Sequence, residues 1–251
     1  MTERDPQQEP ALDRQIEEIL RGVEGDIPEP VVALPRRPLD REERMIKDVL
    51  LRMGSLIEER IRLTVEALET HDDAKALFVI EADEQINALQ VAAMDHIVLT
   101  IATQQPVARD LRFLLALDRI GGELERIGDM VANVAKRARE LAPEPPLEGH
   151  LGIPEMGGIA AQFLADTIRA LVDNDADAAR EVATHDDDID ALYHRTFDRL
   201  LELAKESPDN VDRAMRLLIA ARYMERVGDH ITNIAEDVVF VSSGEREDLN
   251  P

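Results

Sequence analysis

Glu125, Asp129 and Asn133 are spaced four apart, and so are Glu225, Asp229 and Asn233. On an α-helix that spacing stacks side chains along one face, about 6 Å apart. A second pattern is also present twice. Asp83-Glu84-Gln85-Ile86-Asn87-Ala88-Leu89 and Asp186-Asp187-Asp188-Ile189-Asp190-Ala191-Leu192 both read Asp-x-x-Ile-(Asn/Asp)-Ala-Leu. Oxygen-rich rows of this kind have two readings. Alone, each is an ordinary solvated helix face. Brought together, they supply several oxygens to one point, and carboxylates that close repel unless a cation neutralises them. An all-oxygen set suits Mg, Mn or Fe. Zn is less expected, because the chain has no Cys and a His stands at the motif in one half only (His230, where position 130 is Met).

Chain counting brings the rows to one height. Asn87 lies 18 residues before Gln105 and Glu125 lies 20 after it, while Asp83 lies 22 before and Asp129 lies 24 after. In an antiparallel helical hairpin both pairs sit about 27–36 Å from the turn. The second half repeats this around Ser207, with Asp190 at 17 before, Glu225 at 18 after, Asp186 at 21 before and Asp229 at 22 after. Rotation about each helix is left open by the counting.

The elements that must hold these residues are helices. Glu125-Arg126-Ile127-Gly128-Asp129 through Ala135 returns 100 residues later as Glu225-Arg226-Val227-Gly228-Asp229 through Ala235, so the chain is an internal duplication. Ile120, Leu124, Ile127, Val131, Val134, Ala138 and Leu141 alternate spacings of three and four, and their partners 100 residues on are all apolar. That is a bundle seam. Gly128 and Gly228 sit mid-helix, which points either to close approach of a neighbour or to a tolerated glycine in both copies.

The remaining elements follow in order. A first helix spans about 40–69 and an Asp72 N-cap opens a second over 74–103. Pro106 falls in the first turn of a third that runs to Leu141. A fourth spans about 154–172, a fifth runs to Lys205, and Ser207-Pro208 opens a sixth that runs to Val241. The organisation is a tail over 1–38, a first three-helix repeat over 39–142, a linker over 143–153 and a second repeat over 154–244. The tail holds six prolines and reads as mostly disordered, with a short amphipathic helix at Ala11–Arg21. The expected fold is all-α: two antiparallel three-helix bundles in tandem.

Composition narrows the function classes. Aromatics are 3% of the 251 residues, with no Trp, a core palette of helix bundles. The net charge of −24 repels nucleic acid and anionic lipid and attracts cations and basic protein surfaces. No apolar run approaches 18 residues and no leader is evident, so neither a membrane span nor a secreted protein is expected. No phosphate loop, nucleophile elbow or His-Glu-x-x-His motif occurs, and an enzyme is not expected. Apart from His230, the histidines read as surface or helix-end residues, with His185 beside Asp186 worth following.

At the two Glu-Arg-(Ile/Val)-Gly-Asp motifs, each followed by Asn-(Val/Ile)-Ala, and at Gln105-Pro106-Val107-Ala108-Arg109-Asp110-Leu111-Arg112, the chain resembles the PhoU family of phosphate-signalling proteins over roughly residues 40–241. The resemblance implies a cytoplasmic negative regulator of the phosphate-starvation response, usually a homodimer. Such a protein links the high-affinity phosphate ABC transporter, through its ATPase subunit, to a membrane sensor histidine kinase, and performs no reaction of its own. It also implies divalent metal ions, or iron or zinc clusters, on the acidic pairs. Carried onto this chain, the metal candidates are Asp83, Glu125 and Asp129 in the first half, and Asp186, Asp190, Glu225 and Asp229 in the second. Asn87 stands where the second half has Asp190, and its neutral amide is a weaker ligand. A metal-storage or metal-sensing bundle is the competing reading.

Overall fold

The computed structural model describes residues 37–147 and 151–250, and every regular element among them is helical. The expectations for the tail before residue 37, including the helix at 11–21, lie outside the described residues.

The first repeat opens with α1 (Arg37–Thr70). Its apolar stripe, Ile46, Leu50, Met53, Ile57, Ile61 and Leu68, is buried. Asp72 caps the next helix by accepting a hydrogen bond from the Lys75 backbone N–H at 2.9 Å, a contact worth about 1 kcal/mol. The helix expected over 74–103 is interrupted once, giving α2 (Asp73–Glu81) and α3 (Asp83–Gln104). At the break the Ala82 carbonyl accepts from the Gln85 N–H at 3.1 Å, a three-residue closure that tightens the turn. Gln105 adopts φ 48, in the left-handed region, and reverses the chain. Pro106 therefore precedes the Val107 N-cap, instead of sitting in the first turn of α4 (Ala108–Leu141).

The second repeat mirrors this plan. α5 (Ile153–Asp173) ends at left-handed Asn174, and Asp175 caps α6 (Ala176–Ala183) by accepting from the Asp177 and Ala178 N–H groups, each at 3.0 Å. The predicted fifth helix is also broken. Thr184 separates α6 from α7 (His185–Glu206), and both its N–H (3.3 Å) and its hydroxyl (2.8 Å) donate to the Glu181 carbonyl. That back-bonding competes with the helical ladder. Ser207-Pro208 opens a 3₁₀ turn, Pro208–Asn210, and α8 (Val211–Ser243) begins after it.

The two bundles are joined into one compact unit from Pro38 onward. Two glycines make this fit. A Cβ on Gly54 would lie 2.9 Å from Ile168 Cγ1, and one on Gly157 would lie 2.3 Å from Val65 Cγ2. Each pair joins α1 to α5, and the two pairs are related by a shift of 103 residues with their roles exchanged. The first helices therefore cross antiparallel, each glycine receiving a branched side chain of the other. The third helices cross in the same sense: Arg119 of α4 pairs with Asp237 of α8, and Glu123 of α4 meets His230 and Asn233 of α8 at 2.5 and 3.2 Å.

Among the described residues, the stretch Asp73–Gln104 is long and apolar enough, by length and composition, to cross a membrane. It is a member of the bundle, yet only 22% of its most apolar part is buried. The second helix thus packs one narrow face inward and leaves an apolar face outward.

Candidate functional site

Both interruptions fall at the acidic motifs. Ala82 precedes Asp83, and Thr184 lies two residues before Asp186, so each carboxylate stands in the first turn of the helix that follows the break. There the helix N-terminus favours negative charge. The rotation left open by chain counting is now fixed: the second and third helices of each repeat turn their carboxylates toward one another.

Glycine allows the approach. A Cβ on Gly228 would meet Asp186 Oδ1 at 2.5 Å, and one on Gly128 would meet Ile86 Cδ1 at 2.8 Å and Asp83 Oδ1 at 3.4 Å. The mid-helix glycines thus leave the space into which the opposing Asp and Ile project. This decides between the two readings of these glycines.

In the first repeat Asp83, Glu125 and Asp129 form one electrostatic group. Burial, then repulsion from Asp129 and a shared hydrogen bond with it, push Asp83 up to about 6, against the pull of Arg60. Burial and then Asp129 also raise Glu125. Asn87 lies beside them with its Oδ1 buried and without a hydrogen-bond partner. Arg60 is itself buried at 4% exposure and donates to Gln85 Oε1 at 3.0 Å, while its Nη1 has no partner.

The second repeat is richer in charge. Asp186 is 4% exposed and Glu225 8%. Burial, then Asp229, Asp190, Asp187 and Glu225, hold Asp186 up at about 7. Burial followed by Asp229 raises both Asp190 and Glu225. Asp186 Oδ1, Asp190 Oδ1 and Glu225 Oε2 are buried without hydrogen-bond partners. The balancing cation is Arg222, paired with Glu225 and lying over the Tyr193 ring at 5.7 Å. Position 122 in the first repeat is Gly, and position 163, which is Arg60 shifted by 103, is Phe. The two sites therefore draw their arginines from different helices.

Sequence reasoning missed these two arginines. Arg60 was legible in principle, because it sits between Ile57 and Thr64 on the buried stripe of α1, where a charge needs a partner. Asn133 and Asn233 make their hydrogen bonds away from the clustered carboxyl groups, although Asn233 borders the same cavity as Asp229. Asn133 Nδ2 donates to the Asp129 backbone carbonyl at 2.9 Å and Asn233 Nδ2 to Glu123 Oε2 at 3.2 Å. Arg126 and Arg226 are exposed, acting on Glu125 and Glu225 through charge alone. His230 belongs to the contact between repeats, through Glu123, which its hydrogen bond helps hold below the usual carboxylate range against the opposing effect of burial.

Among the described residues no three His, Asp or Glu side chains are arranged to hold a metal ion. The carboxylates of each repeat are electrostatic neighbours. Their donor chemistry nonetheless fits a hard cation: unpartnered buried carboxylate oxygens are costly groups that a bound cation would satisfy.

The PhoU domain family model matches residues 50–138 and 153–238, one match per repeat. The phosphate-specific transport system accessory protein PhoU homolog of Clostridium acetobutylicum is 34% identical over 218 residues, covering 86% of this chain and 100% of that one. The homolog of the same description from Aquifex aeolicus is 36% identical over 207 residues, covering 82% and 94%. The crystal structure of PhoU from Pseudomonas aeruginosa superposes with a TM-score of 0.78 at 32% identity, over 82% of this chain and 99% of that one. The phosphate transport system regulatory protein PhoU from Streptococcus pneumoniae gives the same TM-score at 28% identity, over 84% and 99%.

Proposed function

Because this chain belongs to the PhoU family, we propose that it is an accessory regulator of phosphate-specific transport, acting in the cytoplasm as a negative regulator of the phosphate-starvation response. In this reading it is a homodimeric adaptor between the ATPase subunit of a phosphate ABC transporter and a sensor histidine kinase, and works by docking without a reaction of its own. The observation that carries the proposal is the match of both repeats to relatives described as accessory to phosphate-specific transport, over the whole length of one of them. An exposed apolar face on α3, unusual on so acidic a chain, supports docking. Deleting the gene should derepress phosphate-responsive transcription in phosphate-replete cells and restore repression on complementation. Unchanged transcription and unchanged phosphate uptake would reject the proposal.

A second reading adds to the first. We propose that the two acidic clusters hold divalent cations, Mg, Mn, Fe or Zn, with Asp83, Asn87, Glu125 and Asp129 as one donor set and Asp186, Asp190, Glu225 and Asp229 as the other. A bound cation would neutralise the repulsion and satisfy the unpartnered oxygens. The chain's own contribution is to hold the carboxylates on two helices that approach closely at Gly128 and Gly228. Elemental analysis and melts with and without EDTA test this on wild type, Glu125→Ala/Asp129→Ala and Glu225→Ala/Asp229→Ala. Metal should be lost half at a time, with a parallel fall in the EDTA effect. Absence of metal from wild type after Mn loading, with no EDTA effect, would end this reading.

A further inference from the structure

The chain does not leave the second repeat at the end of α8. Gly244, at φ 81, closes the helix and turns the chain back. Glu247 then takes a two-pronged contact from Arg180 of α6, at 2.8 and 2.6 Å. Arg246 lies over Phe240 at 5.2 Å, Leu249 packs on the core, and the Leu249 N–H donates to Glu236 Oε1 at 3.0 Å. At the end of this path Asn250 Nδ2 donates to Asp186 Oδ2 at 2.6 Å. A cavity of about 530 Å³ lies under the segment, lined by Asp229 and Glu236 from α8 and by Arg246, Asp248 and Asn250 from the segment itself. The segment lies beyond the stretch matched to the family, which ends at residue 238.

We infer that residues 244–250 form a cap on the second acidic site, and that Asn250 competes there with a cation for the Asp186 carboxylate. The inference rests on the cation reading of that site. A carboxylate lone pair taken by an amide N–H is not available to a metal, and the cap also narrows access past Asp229. Asp186 still has its Oδ1 buried and unpartnered, so the capped site remains short of a donor that would satisfy it. Apart from Asn250, the cap is held by the Arg180–Glu247 pair, the seat of Leu249 on the core and the Leu249 N–H on Glu236. Among the described residues no side-chain amide donates to Asp83, whose carboxyl shares its hydrogen bond with Asp129, and Asp83 is more exposed than Asp186. The two sites of one molecule therefore differ in access: the first is open and the second is gated.

Calorimetric titration of the full chain with Mn²⁺ tests this on a Glu125→Ala/Asp129→Ala background, which leaves only the second site. Asn250→Ala, at the exposed end of the segment, should bind Mn²⁺ about tenfold more tightly than the background chain, the scale of losing one hydrogen bond to a charged group. Glu247→Ala, which frees the anchor, should move affinity in the same direction. Mn²⁺ should also raise amide exchange over 244–250 in the background chain. Equal or weaker binding by Asn250→Ala, with Mn²⁺ still bound by the background chain, would overturn the cap while leaving the cation site standing. No binding by either variant would overturn both.

Discussion

Glycine is the residue on which each acidic site turns, and the two copies predict different outcomes for one substitution. Gly128→Ala and Gly228→Ala each gain about 1 kcal/mol in helix propensity. At Gly128 the new Cβ meets the tip of Ile86, a flexible end that can swing. Stability should then stay within about 1 kcal/mol of wild type. At Gly228 the Cβ meets the Asp186 carboxylate itself, at 2.5 Å. Gly228→Ala should therefore push Asp186 off its position, break the Asn250 contact and cut Mn²⁺ affinity at the second site, with little loss of helix. Paired melts and titrations check both; equal effects of the two substitutions would show that the glycines do not set the carboxylate positions. The sequence carried the identities of the acidic residues and their heights, because periodicity and chain counting fix both. It did not carry Asn250, which reaches Asp186 across 64 residues of chain by a turn that no period encodes. The arginines escaped for a related reason, since each repeat balances its charge from a different helix.

At the scale of elements, helix type and order were legible from seam spacing and turn residues, and the Asp72 and Asp175 caps are local chemistry. The breaks at Ala82 and Thr184 were not, because the apolar period continues through them and neither is marked by Gly or Pro. Each break places a helix start at the carboxylate of its site. A second consequence of packing is a pH dependence at the start of α1. Burial, then Asp110 and Asp40, push Glu43 up to about 7 from an ordinary 4.5, against Lys47 and Arg109. The folded chain thus keeps a proton between those values that the unfolded chain releases. The stability contributed by this group is full below about pH 4.5 and falls as pH rises through 7. Glu43→Gln should leave the melting temperature unchanged near pH 4.5 and raise it at pH 8. Each 1 kcal/mol relieved corresponds to about 2–4 °C at this size, less whatever solvent screens. A melting temperature raised equally at both pH values would show that Glu43 is not held protonated.

The whole molecule carries an asymmetry of solvation as well as of charge. Large apolar side chains stay exposed on the hairpin of each repeat, and several correspond: Met94 with Phe197, Val98 with Leu201, and Leu115 with Met215. Val98 lies seven residues before Gln105 and Leu115 eight after Val107, so they stand at one height near the hairpin tip, far along the helices from the acidic cluster. An ordinary solvent face would not keep apolar residues at matched places in both repeats of a chain with net charge −24. Covering one such residue stabilises by about 1.5–3 kcal/mol, so a few of them suffice for association. Val98→Glu/Leu115→Glu should leave the melting temperature close to wild type, as both side chains already face water. The same change should weaken self-association in sedimentation, or capture of the transporter ATPase subunit, whichever uses the first repeat. Phe197→Glu/Met215→Glu asks the same of the second repeat. If both double variants assemble as wild type does, the apolar faces are not the docking surfaces. If only one fails, the repeats have divided the work, one face for each partner. That division would give an adaptor two ends from a single duplicated fold.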